Sequence, residues 1–196
     1  MSQIALKAGF DDSVHDSQRV FRALLDAMSR PGRIVTPSPP PELPAALHPA
    51  TAAVCLALLD FETPLWLAGP DIAETRAWLA FHAGCPFVAT PEQAAFALVT
   101  DVAALPALGD FARGSDEMPE RSTTLLLQVG RLVAGQGQRL SGPGIDGTAW
   151  LDVDGVTASF WTERAAACAL FPRGLDVIFT AGPALAALPR TTQVED

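Results

Sequence analysis

The clearest pattern of apolar positions lies in the segment Ser13–Ser29. Its apolar residues recur at i, i+1, i+4, i+5 and i+8, close to the 3.6-residue period of a helix: Val20, Phe21, Leu24, Leu25 and Met28. This spacing predicts an amphipathic helix with all five residues on one face. Pro31 and Gly32 end it, because proline lacks the N–H that the helix needs and glycine favours the turn that follows.

A proline-rich segment follows a short predicted strand at Ile34–Val35. Residues 37–44 read PSPPPELP and have too few backbone N–H donors for a helix or a sheet. We predict an extended connector inside one domain, because the residues before it are too few to build a core of their own.

Helical and strand patterns alternate through the rest of the chain. Helices are predicted at 49–59, at 71–84 with Asp71 and Glu74 as a capping box, near 101–108 and at 158–170. Strands are predicted at 64–68, 87–88, 96–100, 122–129, 139–141, 149–153 and 175–180. A polar, mobile loop is predicted at 113–120, and an ordered tail of unassigned type at 184–192.

This alternation predicts an α/β fold: a single domain, 1–196, with a mixed β-sheet flanked by helices. The ends, 1–12 and 193–196, are expected to be flexible. Because 49% of the residues are apolar and 18% are charged, we also expect surface patches that partners cover.

The charge of the chain argues against a nucleic-acid partner. The formal net charge is -9, and no basic stripe with interleaved aromatic residues is present. The three cysteines are widely spaced in apolar runs, which is typical of reduced, buried thiols. No apolar stretch is long enough to span a membrane, and no signal peptide is recognisable. We therefore expect a cytoplasmic protein that does not enter a membrane.

The stretch RLSGPGIDG contains the spacing G-x-G-x-x-G at Gly142, Gly144 and Gly147. A dinucleotide-binding loop needs a helix directly after these glycines, because the helix N-terminus faces the pyrophosphate. Here an alternating, strand-like segment follows, and Pro143 removes one backbone donor. The motif therefore predicts a turn between two strands.

Two cofactor chemistries need a lysine in a defined place. A P-loop requires Gly-Lys-Ser/Thr, and pyridoxal phosphate (PLP) enzymes bind their cofactor through a lysine. Lys7 is the only lysine, and it precedes the first helix. We therefore predict no cofactor.

The sequence also offers no complete set of metal ligands and no activated nucleophile. His82-x-x-Cys85 is half of a metal site without a second pair nearby, and Ser141 has no local activating partner. We predict no metal and no catalytic residue. His82 lies one turn beyond Trp78, so it is either a core histidine or a ligand contact.

Four stretches together resemble the PhnH family, a subunit of the bacterial carbon–phosphorus lyase system: DSQRVFRALLDAMSRPG, the pair Phe81-His82, RLSGPGI, and FPRGLDVIFTAG running on to LPRTTQVE. Their order and the chain length make the resemblance specific. It covers nearly the whole chain, 10–195.

The resemblance implies a homodimer with a fold like the large domain of PLP-dependent transferases, without the cofactor lysine. It also implies assembly with the G, I and J subunits into a core complex. Together with the G, I and L subunits, the system transfers ribose triphosphate from ATP to methylphosphonate. The radical cleavage step belongs to the iron–sulfur J subunit.

The resemblance also marks six positions as a candidate ligand pocket: Arg22, His82, Gly142, Gly144, Asp176 and Arg190. Arg22, Arg190 and His82 are the groups that would contact an anionic or ring-shaped ligand. Each has a structural alternative: Arg22 pairs with Asp26, the glycines serve a tight turn, and Arg190 anchors the tail against Asp176.

Two functions follow. The first is a non-catalytic structural subunit of the carbon–phosphorus lyase core complex in phosphonate catabolism. The alternative is an independent small-molecule, nucleotide or phosphonate-binding enzyme of PLP-transferase ancestry.

Overall fold

The computed structural model of the chain describes residues 9–195. Four helices are present: α1 (Ser13–Ser29), α2 (Pro49–Leu58), α3 (Ile72–His82) and α4 (Ala158–Cys168). The first six strands are β1 (Ile34–Val35), β2 (Leu65–Ala68), β3 (Phe96–Val99), β4 (Thr124–Gln128), β5 (Leu132–Ser141) and β6 (Ala149–Val153). The last three are β7 (Asp176–Ala181), β8 (Ala184–Leu188) and β9 (Gln193–Glu195). Short 3-10 turns lie at Pro91–Gln93, Val102–Ala104, Leu108–Asp110 and Pro119–Arg121.

A six-stranded mixed sheet forms the centre of the fold, in the order β1-β8-β7-β4-β3-β2. Strands β2, β3, β4 and β7 are parallel, whereas β8 and β1 run antiparallel at one edge. A second sheet has the order β6-β5-β9. The predicted class, α/β with a mixed sheet flanked by helices, is confirmed.

Alternating side chains divide the core between the two faces of the central sheet. Leu126 and Ile178 pack with the buried residues of α1, α2 and α3. Their neighbours Leu127 and Phe179 point the other way and pack with α4 and the second sheet. Because successive residues of a strand face opposite sides, each central strand supplies both cores and reads as a continuous apolar run.

Helix α1 has the predicted bounds but not the predicted single apolar face. Val20, Leu24 and Ala27 are buried, whereas Phe21 and Leu25 are 44% and 51% exposed. The five apolar positions cover an arc too wide for one contact with the core. Phe21 and Leu25 therefore lie beside the buried stripe, on the outer surface.

The capping box predicted at Asp71 is wrong. Asp71 has a φ of 50° and makes no side-chain capping bond, although α3 does begin at the next residue. A capping side chain needs an extended backbone at its own position, and the left-handed conformation directs the carboxylate elsewhere. The strand predicted at 87–88 is reduced to one bridge, between Phe87 and Leu65.

Strand β5 begins at Leu132, well before the predicted strand at 139–141. Gly135 and Gly137 hide it in the sequence, because glycine is weak in strands. Both have positive φ, and the pairing of β5 with β6 shifts between Ala134 and Gln138, where a bulge lies.

Residues 193–195 of the end predicted to be flexible form β9 and pair with β5, and their flexibility stays a prediction. Residue 196 and most of the predicted flexible segment 1–12 lie outside the described residues. Within that segment, Asp12 caps α1 by accepting the N–H of His15. Across residues 9–195, no helix has the length and apolar character needed to cross a membrane.

Candidate functional site

Arg190 and Asp176 form the ion pair that the sequence predicts. Asp176 opens β7 and Arg190 follows β8, so the antiparallel pairing of these strands brings the two together. Nη2 of Arg190 lies 2.5 Å from Oδ2 of Asp176, and the backbone N–H of Arg190 donates to Oδ1 at 2.8 Å. Each side chain is only 17% exposed. The geometry is that of an anchor for the chain after β8.

The same guanidinium holds the loop before β4. Nη1 of Arg190 donates to the carbonyl of Pro119 at 2.6 Å, and Nη2 donates to Oγ of Ser122 at 2.7 Å. Gly174 leaves room for the arginine, because a Cβ there would lie 3.0 Å from Cβ of Arg190. Arg190 thus joins three segments, and its donors are used within the protein. Its contact with a ligand stays a prediction.

The glycine motif connects β5 and β6, and no helix follows it. Gly142 and Gly144 have φ values of 126° and 85°, which glycine adopts without strain. A Cβ on Gly144 would collide with the carbonyl oxygen of Ser29 at the end of α1, and one on Gly142 would lie 2.9 Å from that of Thr191. The glycines allow close backbone packing, as expected for a turn.

Arg22 lies on the exposed side of α1. Its predicted partner, Asp26, instead pairs with Arg30 and with Nε of Arg33, the latter at 3.1 Å. Arg30 and Arg33 come from the turn after α1, which folds back towards Asp26. The predicted pair of Arg22 and Asp26 is therefore wrong, and within residues 9–195 the Arg22 guanidinium has no ion pair.

His82 is a half-buried residue at the end of α3. Its ring centroid lies 5.0 Å from that of Trp78 and 4.9 Å from that of Phe81. Gly9 packs directly over it, since a Cβ on Gly9 would lie 3.0 Å from Nδ1. His82 therefore packs in a small aromatic cluster, and its contact with a ligand stays a prediction.

The six predicted residues fall into separate places. Asp176 and Arg190 are in contact, and Gly142 touches the tail at the next residue, Thr191. Within residues 9–195, no hydrogen bond or ion pair joins Arg22 to the other four, and His82 packs against Trp78 and Phe81. A ligand pocket built from all six stays a prediction.

Open α/β sheets usually bind ligands at the carboxyl ends of their parallel strands, and here a loop lies over the carboxyl end of β4. Gln128 ends β4 and is only 4% exposed. Its Oε1 accepts the N–H of His48 at 2.6 Å, and its Nε2 donates to the carbonyls of Ala46 and Thr100 at 2.9 and 3.2 Å. The segment between the proline-rich connector and α2 is thereby held over this edge of the sheet.

Comparison with known proteins decides the family. The family model for the bacterial phosphonate metabolism protein PhnH matches residues 8–195. The chain belongs to the PhnH family.

Two curated relatives agree with this assignment. The PhnH-family chain is 41% identical over 188 residues to a protein of Rhizobium meliloti (strain 1021), covering 95% of the chain and 94% of the relative. That protein is named alpha-D-ribose 1-methylphosphonate 5-triphosphate synthase subunit PhnH. The chain is also 34% identical over 181 residues to the putative C-P lyase subunit protein HtxG of Stutzerimonas stutzeri, covering 90% of the chain and 85% of the relative.

The three thiols of this PhnH-family chain are poorly suited to nucleophilic chemistry. Cys55, Cys85 and Cys168 are all free and buried. Burial raises the pKa of each thiol above its ordinary value, most strongly for Cys55. Among residues 9–195, no group of three or more histidine, cysteine or acidic side chains could hold a metal ion.

A buried arginine that the sequence did not reveal fixes the end of the PhnH-family fold. Arg164 of α4 is fully buried and donates to the carbonyls of Leu188 and Pro189. Cys168, one turn further on, donates to the carbonyl of Thr192 at 3.0 Å. Burial lowers the pKa of Arg164, since desolvation disfavours its charge. These bonds explain why the tail after β8 is ordered.

A second feature missed from the sequence is a cavity of about 570 Å³ beside the amino ends of β3 and β4. Arg113 and Arg121 line it, together with Phe111 and Met118. Both arginines belong to the 113–120 region and its flank, which the sequence marks only as a polar loop. Gly114 was the one available signal, because a glycine in a polar loop often marks a tight turn.

Proposed function

We propose that this chain is a non-catalytic structural subunit of the carbon–phosphorus lyase core complex in phosphonate catabolism. In that role it would act with partner subunits in transferring ribose triphosphate from ATP to methylphosphonate. The family match and the subunit names of both relatives support the proposal.

The observation that carries the proposal is an apolar stripe on the outside of α1. Val14, Phe21 and Leu25 are 74%, 44% and 51% exposed and lie seven and four residues apart, which aligns them along one side of the helix. We call these three residues the outer stripe. A row of large apolar side chains left in water on a regular helix is typical of a surface that a partner covers.

Phe81 of α3 is a further large apolar residue on the surface. It is 63% exposed and stacks edge-on against His82. Gly9, which precedes α1, packs on the same histidine. We propose Phe81 as a partner contact in addition to the outer stripe.

A second copy of the chain is the partner we propose for this face, with the G, I and J subunits meeting the dimer and the L subunit acting with it. An apolar face on a straight helix suits a two-fold dimer, because the same surface serves both protomers. The likeness to the large domain of PLP-dependent transferases, and a cytoplasmic location, are proposed with it.

The covered carboxyl end of β4 supports a role without catalysis. Gln128 places the segment before α2 over the position where α/β enzymes commonly bind substrates. Arg190 donates its side-chain N–H groups to protein acceptors, and the buried thiols are held in the protonated form. The chain retains a rigid fold while its best connected polar groups serve its own loops.

Sedimentation equilibrium of the isolated chain tests the proposal. The wild type should sediment as a dimer, and the double variant Phe21→Glu, Leu25→Glu should sediment as a monomer with an unchanged circular dichroism spectrum, since glutamate is a good helix former. The matched control is Phe61→Glu, because Phe61 is 74% exposed but lies in the turn after α2. A dimer that survives both glutamates, or a control that dissociates equally, would contradict the assignment of this face.

A further inference from the structure

Two arginines without a carboxylate partner share one cavity. Arg113 and Arg121 both line the space of about 570 Å³ beside the amino ends of β3 and β4. Among residues 9–195, neither guanidinium forms an ion pair, although several other arginines of the chain do. In a chain of net charge -9, two unpaired arginines on one cavity form a local cationic site.

One side-chain donor of Arg113 makes no hydrogen bond within the described residues. Its Nε is buried and has no hydrogen-bond acceptor within the part of the chain that the structure describes. Its backbone is fixed on both sides: the carbonyl accepts the N–H of Gly174 at 2.9 Å, and the residue bridges to Ser122. The guanidinium of Arg113 therefore carries a positive charge that no carboxylate of residues 9–195 neutralises, in a residue that lines the cavity.

The loop that carries these arginines is shaped in advance. Gly114 has a φ of 72°, and a Cβ there would lie 2.8 Å from the carbonyl oxygen of Pro119. Ser115 accepts the N–H of Met118 at 3.0 Å and closes the turn. Because Arg190 holds the same Pro119 carbonyl, the chain leading to Arg121 is tied to the sheet. Less ordering is then required when a ligand binds.

The lining defines the chemistry of the ligand. A guanidinium presents a planar fork of N–H donors that matches the oxygens of a phosphoryl group. Phe111 and Met118 add an apolar wall, which suits a small organic substituent on that group. Glu92 also lines the cavity, is exposed and opposes anion binding, so the charges of both arginines are needed to offset it.

We propose that this cavity binds a small molecule through a phosphorus oxyanion, carried as a phosphate or a phosphonate group, with Arg113 and Arg121 as its ligands. This site is distinct from the outer stripe and requires no catalysis by the chain. It therefore adds a binding function to the proposed subunit role.

Isothermal titration calorimetry of the isolated chain at low ionic strength tests the site, with methylphosphonate, methyl phosphate and inorganic pyrophosphate as probes. Saturable binding of at least one probe is expected, weakened about tenfold or more by Arg113→Gln and by Arg121→Gln, because each removes charge-assisted hydrogen bonds. The matched control is Arg131→Gln, whose side chain is 61% exposed directly before β5 and pairs with Asp152. It should bind like the wild type.

The calorimetric results distinguish a phosphonate ligand from a phosphate ester. Tighter binding of methylphosphonate than of methyl phosphate identifies a phosphonate, and the reverse identifies a phosphate ester. No saturable heat with any probe, or equal weakening by Arg131→Gln and Arg121→Gln, overturns the proposal. Because Arg121 is exposed, its variant stays informative if Arg113→Gln fails to fold. The dimer measurement is independent, so failure here leaves the subunit role intact.

Discussion

Removal of the Arg190 side chain should destabilise the fold far more than removal of an ordinary surface arginine. Arg190→Ala leaves the carboxylate of Asp176, which is 17% exposed, without its guanidinium partner. It also leaves Oγ of Ser122 and the carbonyl of Pro119 without their donor. Arg190 therefore links β7, the loop before β4 and the tail through its ion pair and hydrogen bonds.

The size of the effect follows from burial. Breaking a buried ion pair by removing one partner costs about 3–5 kcal/mol. The side chains here keep some exposure, and Asp176 still accepts the backbone N–H of residue 190, so we expect about 3 kcal/mol. For a chain of this size, each kcal/mol lowers Tm by roughly 2–4 °C, which predicts a fall of roughly 6–12 °C.

Differential scanning calorimetry measures this fall, with Arg131→Ala as the control. The control pair is largely exposed and should cost about 0–1 kcal/mol. A double-mutant cycle with Asp176→Ala should show a coupling of about 1 kcal/mol or more, because the two side chains are in direct contact. Strict additivity, or equal shifts for Arg190→Ala and Arg131→Ala, would refute the reasoning.

Three further predictions concern the glycine turn, the thiols and the start of α1. Gly144→Ala should lower Tm more than Gly147→Ala. Alanine at either position must adopt a positive φ, which costs about 1–2 kcal/mol, but only the new Cβ at residue 144 would also collide with backbone atoms. The three thiols should resist Ellman's reagent at about pH 8 until urea unfolds the chain. Burial raises the pKa of each thiol, so little reactive thiolate forms in the folded protein. Rapid labelling of the folded protein would contradict this prediction. Hydrogen bonds from His15 lower the pKa of Asp12, so its ionised form stabilises the fold above the ordinary value of 3.8. The Tm advantage of wild type over Asp12→Asn should disappear as the pH falls through the lowered pKa, and an advantage that persists at about pH 2 would exclude this linkage.

Local patterns predicted most of the central fold. The bounds of α1 and the strands β3, β4 and β7 could be found because strong apolar periodicity and clear turn residues coincide there. Strand β5 could not, since its glycines weaken the strand signal and its register depends on a bulge against β6. The capping role predicted for Asp71 was wrong because the backbone conformation of this residue decides where its side chain points. The spacing of residues in the sequence does not reveal that conformation.

The candidate site was less predictable than the fold. The contact of Arg190 with Asp176 was anticipated as the structural alternative to a ligand contact, but the contacts with Pro119 and Ser122 arise from chain segments far apart in sequence. Arg113, one of the two arginines of the cavity without an ion pair, carries no motif, and its buried Nε is a property of packing alone. Such features follow from tertiary contacts, which one sequence without relatives does not contain.

The sequence pattern also did not predict which apolar residues of α1 are exposed. Helical spacing placed Phe21 and Leu25 with Val20 and Leu24, since neighbouring positions differ by only about 100° around the helix axis. Only the position of α1 against α2 and β8 divides these residues into a buried stripe and an outer stripe. The division matters, because it makes Phe21 and Leu25 candidates for the partner contact that we propose rather than residues of the core.

The mass of the particle that contains this chain in its own cells is the most direct test of the subunit role. A tagged copy would be purified from cells that use methylphosphonate as their phosphorus source, and the intact assembly would be weighed by native mass spectrometry. We predict a particle that contains the 20.6 kDa chain together with the G, I and J subunits. A chain recovered only as itself, as a monomer or a dimer that turns over ATP and methylphosphonate alone, would contradict the account.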